Sequence, residues 1–110
     1  MSLATRKEGG LTIVSIAGRM DAVTTGEIEH DLIEVVEGGE KKLLFDLAAL
    51  EYVSSAGLRT FLVTAKRLKT LAGEMGFANL GGHVKEVFDL SGFCSMFKIF
   101  DSTEAAMEQL

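Results

Sequence analysis

From Leu11 to Gly18 the chain alternates, with Leu11, Ile13 and Ser15 on one side and Thr12, Val14 and Ile16 on the other. Both sides are largely apolar, which predicts a strand buried on both faces and therefore central in its sheet. Leu3 to Lys7 predicts a strand before it. Glu8-Gly9-Gly10 between the two predicts a hairpin, because paired glycines supply the positive φ of a tight turn. The period then changes. Ile28, Leu32, Val35 and Val36 recur at helical spacing. Thr24 with Glu27 has the form of a capping box at the start of that helix, and Val23 and Ile28 are placed as its hydrophobic staple. Gly38-Gly39 ends it.

Lys42 to Leu47 is an apolar run of strand length. A longer helix follows from about Ser54 to Ala72, with Leu58, Phe61, Leu62, Ala65, Leu68 and Leu71 on its inner face and Gly73 as its stop. Met75 to Asn79 predicts a short strand, and His83 to Ser91 a helix that buries Val84, Val87 and Phe88 and ends at Gly92. Phe97 to Phe100 predicts a last strand. Asp101 with Glu104 predicts a capped terminal helix running to Leu110. The order is β-β-α-β-α-β-α-β-α. The fold class is α/β: one domain over residues 1–110, with a mixed, mostly parallel sheet, an N-terminal antiparallel hairpin and about four helices. In such sheets the functional crevice lies beyond the carboxyl ends of the strands. The segments Arg19 to Thr24 and Ala48 to Ser55 reach that edge.

Composition narrows the function. With 11 Lys+Arg against 16 Asp+Glu, the net charge is −5, which argues against a general nucleic-acid surface. No run of about 18 apolar residues predicts a membrane span, and the start lacks the apolar core of a signal peptide, so a soluble cytoplasmic protein is expected. The lone Cys94 excludes an internal disulfide framework and any multi-cysteine zinc site; between Phe93 and Met96 it reads as a small buried hydrophobe. The methionines read as core filling. Charge is also segregated. The first helix is acidic on its outer face (Glu27, Glu29, Asp31, Glu34, Glu37), and the second is basic (Arg59, Lys66, Arg67, Lys69).

Enzyme signatures are missing. Neither glycine-rich phosphate cradle nor a G-x-S-x-G elbow occurs. His30 and His83 are isolated in the sequence. Asp46 ends a strand, but only Asp21 follows an early strand, short of the acidic pair a receiver-type phosphoacceptor needs for magnesium. Asp46 is expected to accept loop amide hydrogens instead. No metal or other cofactor is expected.

The segment Tyr52-Val-Ser-Ser-Ala-Gly-Leu58 is the informative one. Serine is a preferred N-cap, and one serine suffices for that. The other then holds a free hydroxyl at the positive end of a helix dipole, where a phosphate would meet unpaired N–H groups. Arg59, one turn beyond Ser55, could add a charge-assisted bond. Gly57 in the first helical turn costs about 1 kcal/mol relative to alanine; close approach of a neighbour or a partner would account for it.

Leu44-Phe-Asp-Leu-Ala-Ala-Leu-Glu-Tyr-Val-Ser-Ser-Ala-Gly-Leu-Arg59 closely resembles the signature of STAS domains, specifically bacterial anti-sigma-factor antagonists. Gly18-Arg-Met-Asp21 resembles that family's early element, and Leu90-Ser-Gly-Phe93 with Phe97 to Asp101 resembles its late element and final strand. The resemblance spans essentially the whole chain. It implies partner switching: the unmodified antagonist binds an anti-sigma factor that is also a serine kinase of the GHKL type, freeing a sigma factor. Phosphorylation releases the antagonist, and a PP2C-type phosphatase resets it. The implied phosphoacceptor is Ser55, with Ser54 the alternative, since Ser54 stands where well-known members carry an aspartate. The implied partner surface comprises Asp21, Ser54, Ser55, Gly57 and Arg59. No nucleic acid or membrane insertion is implied, and the protein is expected to be a monomer or weak dimer. The rival reading is a STAS scaffold or regulatory subunit of a stress-signalling or transport complex that could bind a nucleotide.

Overall fold

A computed structural model of the chain describes residues 2–110. The first hairpin is as the pattern predicts. β1 (Ser2–Glu8) pairs antiparallel with β2 (Leu11–Met20), Leu3 opposite Ile16 and Lys7 opposite Thr12, with both glycines of the turn at positive φ. α1 (Thr25–Glu37), β3 (Lys42–Asp46), β4 (Leu50–Val53), α2 (Ser55–Thr70) and β5 (Glu74–Ala78) follow. The chain ends with α3 (Gly82–Ser91), α4 (Phe93–Met96), β6 (Lys98–Phe100) and α5 (Thr103–Gln109). The sheet runs β1-β2-β3-β5-β6, parallel after the first pair, and β4 adds to the far half of β2.

β2 is an interior strand, between β1 and β3, and its two faces feed two cores, as its alternation requires. Val14 and Ile16 join Ile28, Leu32, Phe61, Leu68, Val84 and Phe88 under the helices α1 to α4. Ile13 and Leu11 face the other way, with Leu44, Ala78, Phe100 and Ala106 under α5. The larger layer is knitted by aromatic rings around Phe77, whose centroid lies 5.0 Å from Phe61, 4.8 Å from Phe88 and 5.4 Å from both Phe45 and Phe97. The Phe45 pair is stacked and the other three are edge-to-face, and pairs of both kinds add about 0.5–1.5 kcal/mol each beyond their buried area.

Two elements escape the sequence pattern. β4 lies inside the segment expected as a loop, and α4 is a single turn anchored by the buried Phe93. β4 pairs with the end of β2. At φ +98° Gly18 stands where β2 leaves β3, and Gly18 to Met20 pair with Leu50, Tyr52 and Val53, a register in which Glu51 of β4 is the extra, unpaired residue. β2 consequently runs to Met20, beyond the expected end at Gly18.

Local details also differ from expectation. Thr24 sits in helical conformation before α1 and makes no cap bond; Val23 is 89% exposed, so no staple forms. The cap of α5 is Ser102, whose hydroxyl accepts from the amide of Ala105, rather than Asp101. After α2 it is Ala72 that takes the left-handed conformation; a Cβ on Gly73 would stand 2.5 Å from the Lys41 carbonyl, so that glycine serves close packing. Met20 and Met75 are core residues, but Met96 and Met107 are exposed, and Met1 lies outside the described residues. Cys94 is exposed rather than buried and donates from Sγ to Asp89 Oδ1 at 3.1 Å. Partial burial, and then the neighbouring carboxylate, hold its thiol above the ordinary range. Among the described residues no helix is long and apolar enough to cross a membrane.

Candidate functional site at the start of helix α2

The parallel pairing of β2 with β4 sets two loop ends side by side at the carboxyl edge of the sheet. Arg19 lies opposite Tyr52 and Met20 opposite Val53, and the Met20 carbonyl accepts the amide of Ser54 at 2.8 Å. The Asp21–Thr24 turn and the Ser54–Ser55 helix start therefore share one edge.

The two serines separate by role. Ser54 is extended (φ −93°, ψ 176°), and its hydroxyl oxygen accepts the Gly57 amide at 3.3 Å, which makes it the N-cap of α2. Ser55 is the first helical residue, is exposed, and its hydroxyl takes part in no hydrogen bond among the described residues. A nucleophilic hydroxyl thus stands free at the positive end of a helix of 16 residues.

Gly57 is buried, and its reason is internal. A Cβ there would lie 2.7 Å from Val53 Cγ2 and 3.1 Å from Met20 Cβ. The glycine lets α2 settle onto the β2–β4 pair, so close packing within the chain accounts for it. Asp21 is also bound into its own turn. Its Oδ1 accepts the amides of Val23 at 3.0 Å and Thr24 at 3.1 Å, and these bonds hold its carboxyl below the ordinary value of 3.8. Thr24 completes the lock: its hydroxyl donates to the Arg19 carbonyl at 2.9 Å and accepts the Asp21 amide at 3.0 Å. Arg59 is exposed and flanks a polar cleft of about 300 Å³ between the starts of α1 and α2, shared with Glu29 and Thr60.

Sequence reasoning missed one constellation. The ring of Tyr52 carries the Arg19 guanidinium 4.3 Å from its centroid and the His83 imidazole at 5.0 Å, nearly parallel. Arg19, Tyr52 and His83 thus form one stacked cluster beside the helix start. Only the unrecognised strand β4 brings these residues together. Asp46 behaves as expected: its Oδ1 accepts the Ala48 amide at 3.1 Å, and also Asn79 Nδ2 at 3.0 Å. Among the described residues no three His, Cys, Asp or Glu side chains converge as metal ligands would.

The family model of the STAS domain matches residues 2–106. The chain belongs to the STAS domain family. Among its relatives, BtrV of Bordetella bronchiseptica, which is named for anti-sigma factor antagonism, is 40% identical over 106 residues, covering 96% of this chain and 91% of BtrV. An anti-sigma factor antagonist from Mycobacterium paratuberculosis superposes with a TM-score of 0.88 at 25% identity, over 97% of this chain and 91% of that one. The Bacillus cell-fate determinant SpoIIAA, in its phosphorylated form, shares the fold with a TM-score of 0.75 at 16% identity, over 98% of each chain. The STAS assignment accounts for the antiparallel opening pair, the parallel remainder and the exposed edge at which α2 begins.

Proposed function

We propose that this STAS domain is an anti-sigma-factor antagonist that works by partner switching. Unmodified, it binds an anti-sigma factor that is also a serine kinase of the GHKL type. The kinase phosphorylates Ser55, the complex separates, and a PP2C-type phosphatase restores the binding form. The observation that carries this reading is the free, exposed Ser55 hydroxyl beside a neighbouring serine already committed to capping. The likeness to BtrV over nearly the whole chain supports the partner class, and a related fold solved in a phosphorylated form supports the chemistry.

In the transfer, Ser55 Oγ bonds to the γ-phosphorus of ATP, the bond to the ADP oxygen breaks, and the hydroxyl proton passes to a base on the kinase. The product gains a charge of about −1.5 to −2 at neutral pH. Within this chain that charge is tolerated, since it lies at the start of α2 with Arg59 one turn on. Across a docked interface the same dianion must be desolvated and accommodated, which opposes binding. The switch is therefore local and needs no refolding of the sheet.

The test incubates wild type and variants with the cognate kinase and ATP, locates phosphate by peptide mass spectrometry and measures binding by calorimetry. Ser55→Ala should bind the kinase and resist modification, Ser55→Asp should bind weakly, and Ser54→Ala should remain a substrate. Phosphate found on Ser54 would move the acceptor by one residue. Tight binding by fully phosphorylated protein would overturn partner switching.

A further inference from the structure

Helix α1 carries Glu27, Glu29, Asp31, Glu34 and Glu37 and no lysine or arginine, whereas α2 carries Arg59, Lys66, Arg67 and Lys69 and no acidic residue. The two helices lie side by side on one face of the sheet and run in the same direction, since each returns between strands of the parallel set. The groove between them is layered. Glu29 and Arg59 flank it near the helix starts, Ile33 and Val63 line its middle, and Glu37 and Arg67 flank its far end. Only the last pair closes, with Arg67 Nη2 2.6 Å from Glu37 Oε1. Among the described residues Arg59, Lys66 and Lys69, and likewise Glu27, Glu29 and Asp31, form no ion pair. Ile33 in the middle layer is 42% exposed, above an apolar hollow of about 220 Å³.

We propose that this face pairs with the same face of a second copy of the chain, about a two-fold axis parallel to the helices. That operation lays α1 of one copy over α2 of the other, level with level. Glu29 then faces Arg59, Ile33 faces Val63, and Glu37 faces Arg67, each contact occurring twice by symmetry. A two-fold axis across the helices would stack α1 on α1, acid against acid. A uniformly acidic partner fits worse, because what α2 attracts, α1 repels from one helix spacing away, about 8–10 Å, which is comparable to the screening length of about 8 Å at physiological salt. The face thus selects a surface carrying both signs in mirrored order, and a second copy supplies it.

The expected strength follows from the area. α1 has 13 residues and is about 20 Å long at about 1.5 Å per residue. Two helices side by side offer a footprint of about 400 Å², half of the about 800 Å² per partner of a standard stable interface. The dimer is therefore weak, rapidly exchanging and governed by salt.

Sedimentation equilibrium over a concentration series tests this with the full chain. A reversible monomer–dimer equilibrium is expected, its dissociation constant rising at least about tenfold between about 0.01 M and about 1 M salt, as the screening length shrinks from about 30 Å to about 3 Å. Glu29→Arg and Arg59→Glu should each weaken the dimer. An equimolar mixture of the two variants should recover it as a heterodimer, since every facing pair is again of opposite sign; this recovery also shows that both variants are folded. A chain that stays monomeric at its solubility limit overturns the proposal. So does a dimer indifferent to salt and to both reversals, or a mixture that associates no better than either variant alone.

Discussion

Replacing Gly57 by alanine separates an internal reason for that glycine from a partner-contact reason. The added Cβ would stand 2.7 Å from Val53 Cγ2, 3.1 Å from Met20 Cβ and 3.4 Å from the Met20 carbonyl oxygen. Carbon pairs are comfortable at about 3.5–4.0 Å, so the first two contacts lie on the repulsive wall. Neither neighbour gives way cheaply. Val53 is buried and β-branched, hence stiff at χ1, and Met20 Cβ moves only with the backbone of β2. Overpacking of this kind costs about 1–3 kcal/mol, and the better helix propensity of alanine returns up to about 1 kcal/mol. The net is a loss of about 1–2 kcal/mol. With an unfolding entropy of about 2.1 cal/mol/K per residue, that lowers Tm by about 4–9 °C in a chain of 110 residues. Thermal unfolding followed by circular dichroism measures it. Gly26→Ala is the matched control: it is also a helical glycine, but nothing lies within 4 Å of its Cβ position, so it should be neutral to stabilising by up to about 1 kcal/mol. If Gly57→Ala melts at or above wild type, the close-packing account is wrong and the glycine is there for a partner.

Two further outcomes follow from the site. Ser54→Ala removes the oxygen that accepts the Gly57 amide and should cost about 0.5–2 kcal/mol in a denaturant titration; a midpoint equal to wild type would remove Ser54 from the cap. Asp21 ionises more readily when folded than its ordinary value of 3.8, so the unfolded chain takes up its proton first as pH falls; its contribution is present above about pH 4 and lost in acid. Asp21→Asn should therefore flatten, though not abolish, the fall of Tm between about pH 5 and pH 2, because Glu40 and Asp89 are shifted in the same direction. An unchanged acid slope would contradict the role given to the turn.

The sequence alone determined whatever local periodicity or one short motif can encode. The two-sided apolar alternation of β2 states that it is an interior strand covered on both faces. The helical spacing of Ile28, Leu32 and Val36 states which face of α1 is buried, and the Ser54-Ser55 pair before Gly57 states where α2 begins. Tertiary structure decided what depends on residues far apart in the chain. β4 has too little pattern of its own to be read; it exists because the end of β2, from Gly18 on, leaves β3 and pairs with it. That one pairing fixes three further outcomes: Met20 accepts the Ser54 amide, a Cβ at position 57 would crowd Val53 and Met20, and Arg19, Tyr52 and His83 stack. The division of labour between the serines was likewise undecided in the sequence, where either could cap. The extended backbone of Ser54, held by β2, aims its hydroxyl at the Gly57 amide, and that commitment leaves the hydroxyl of Ser55 free.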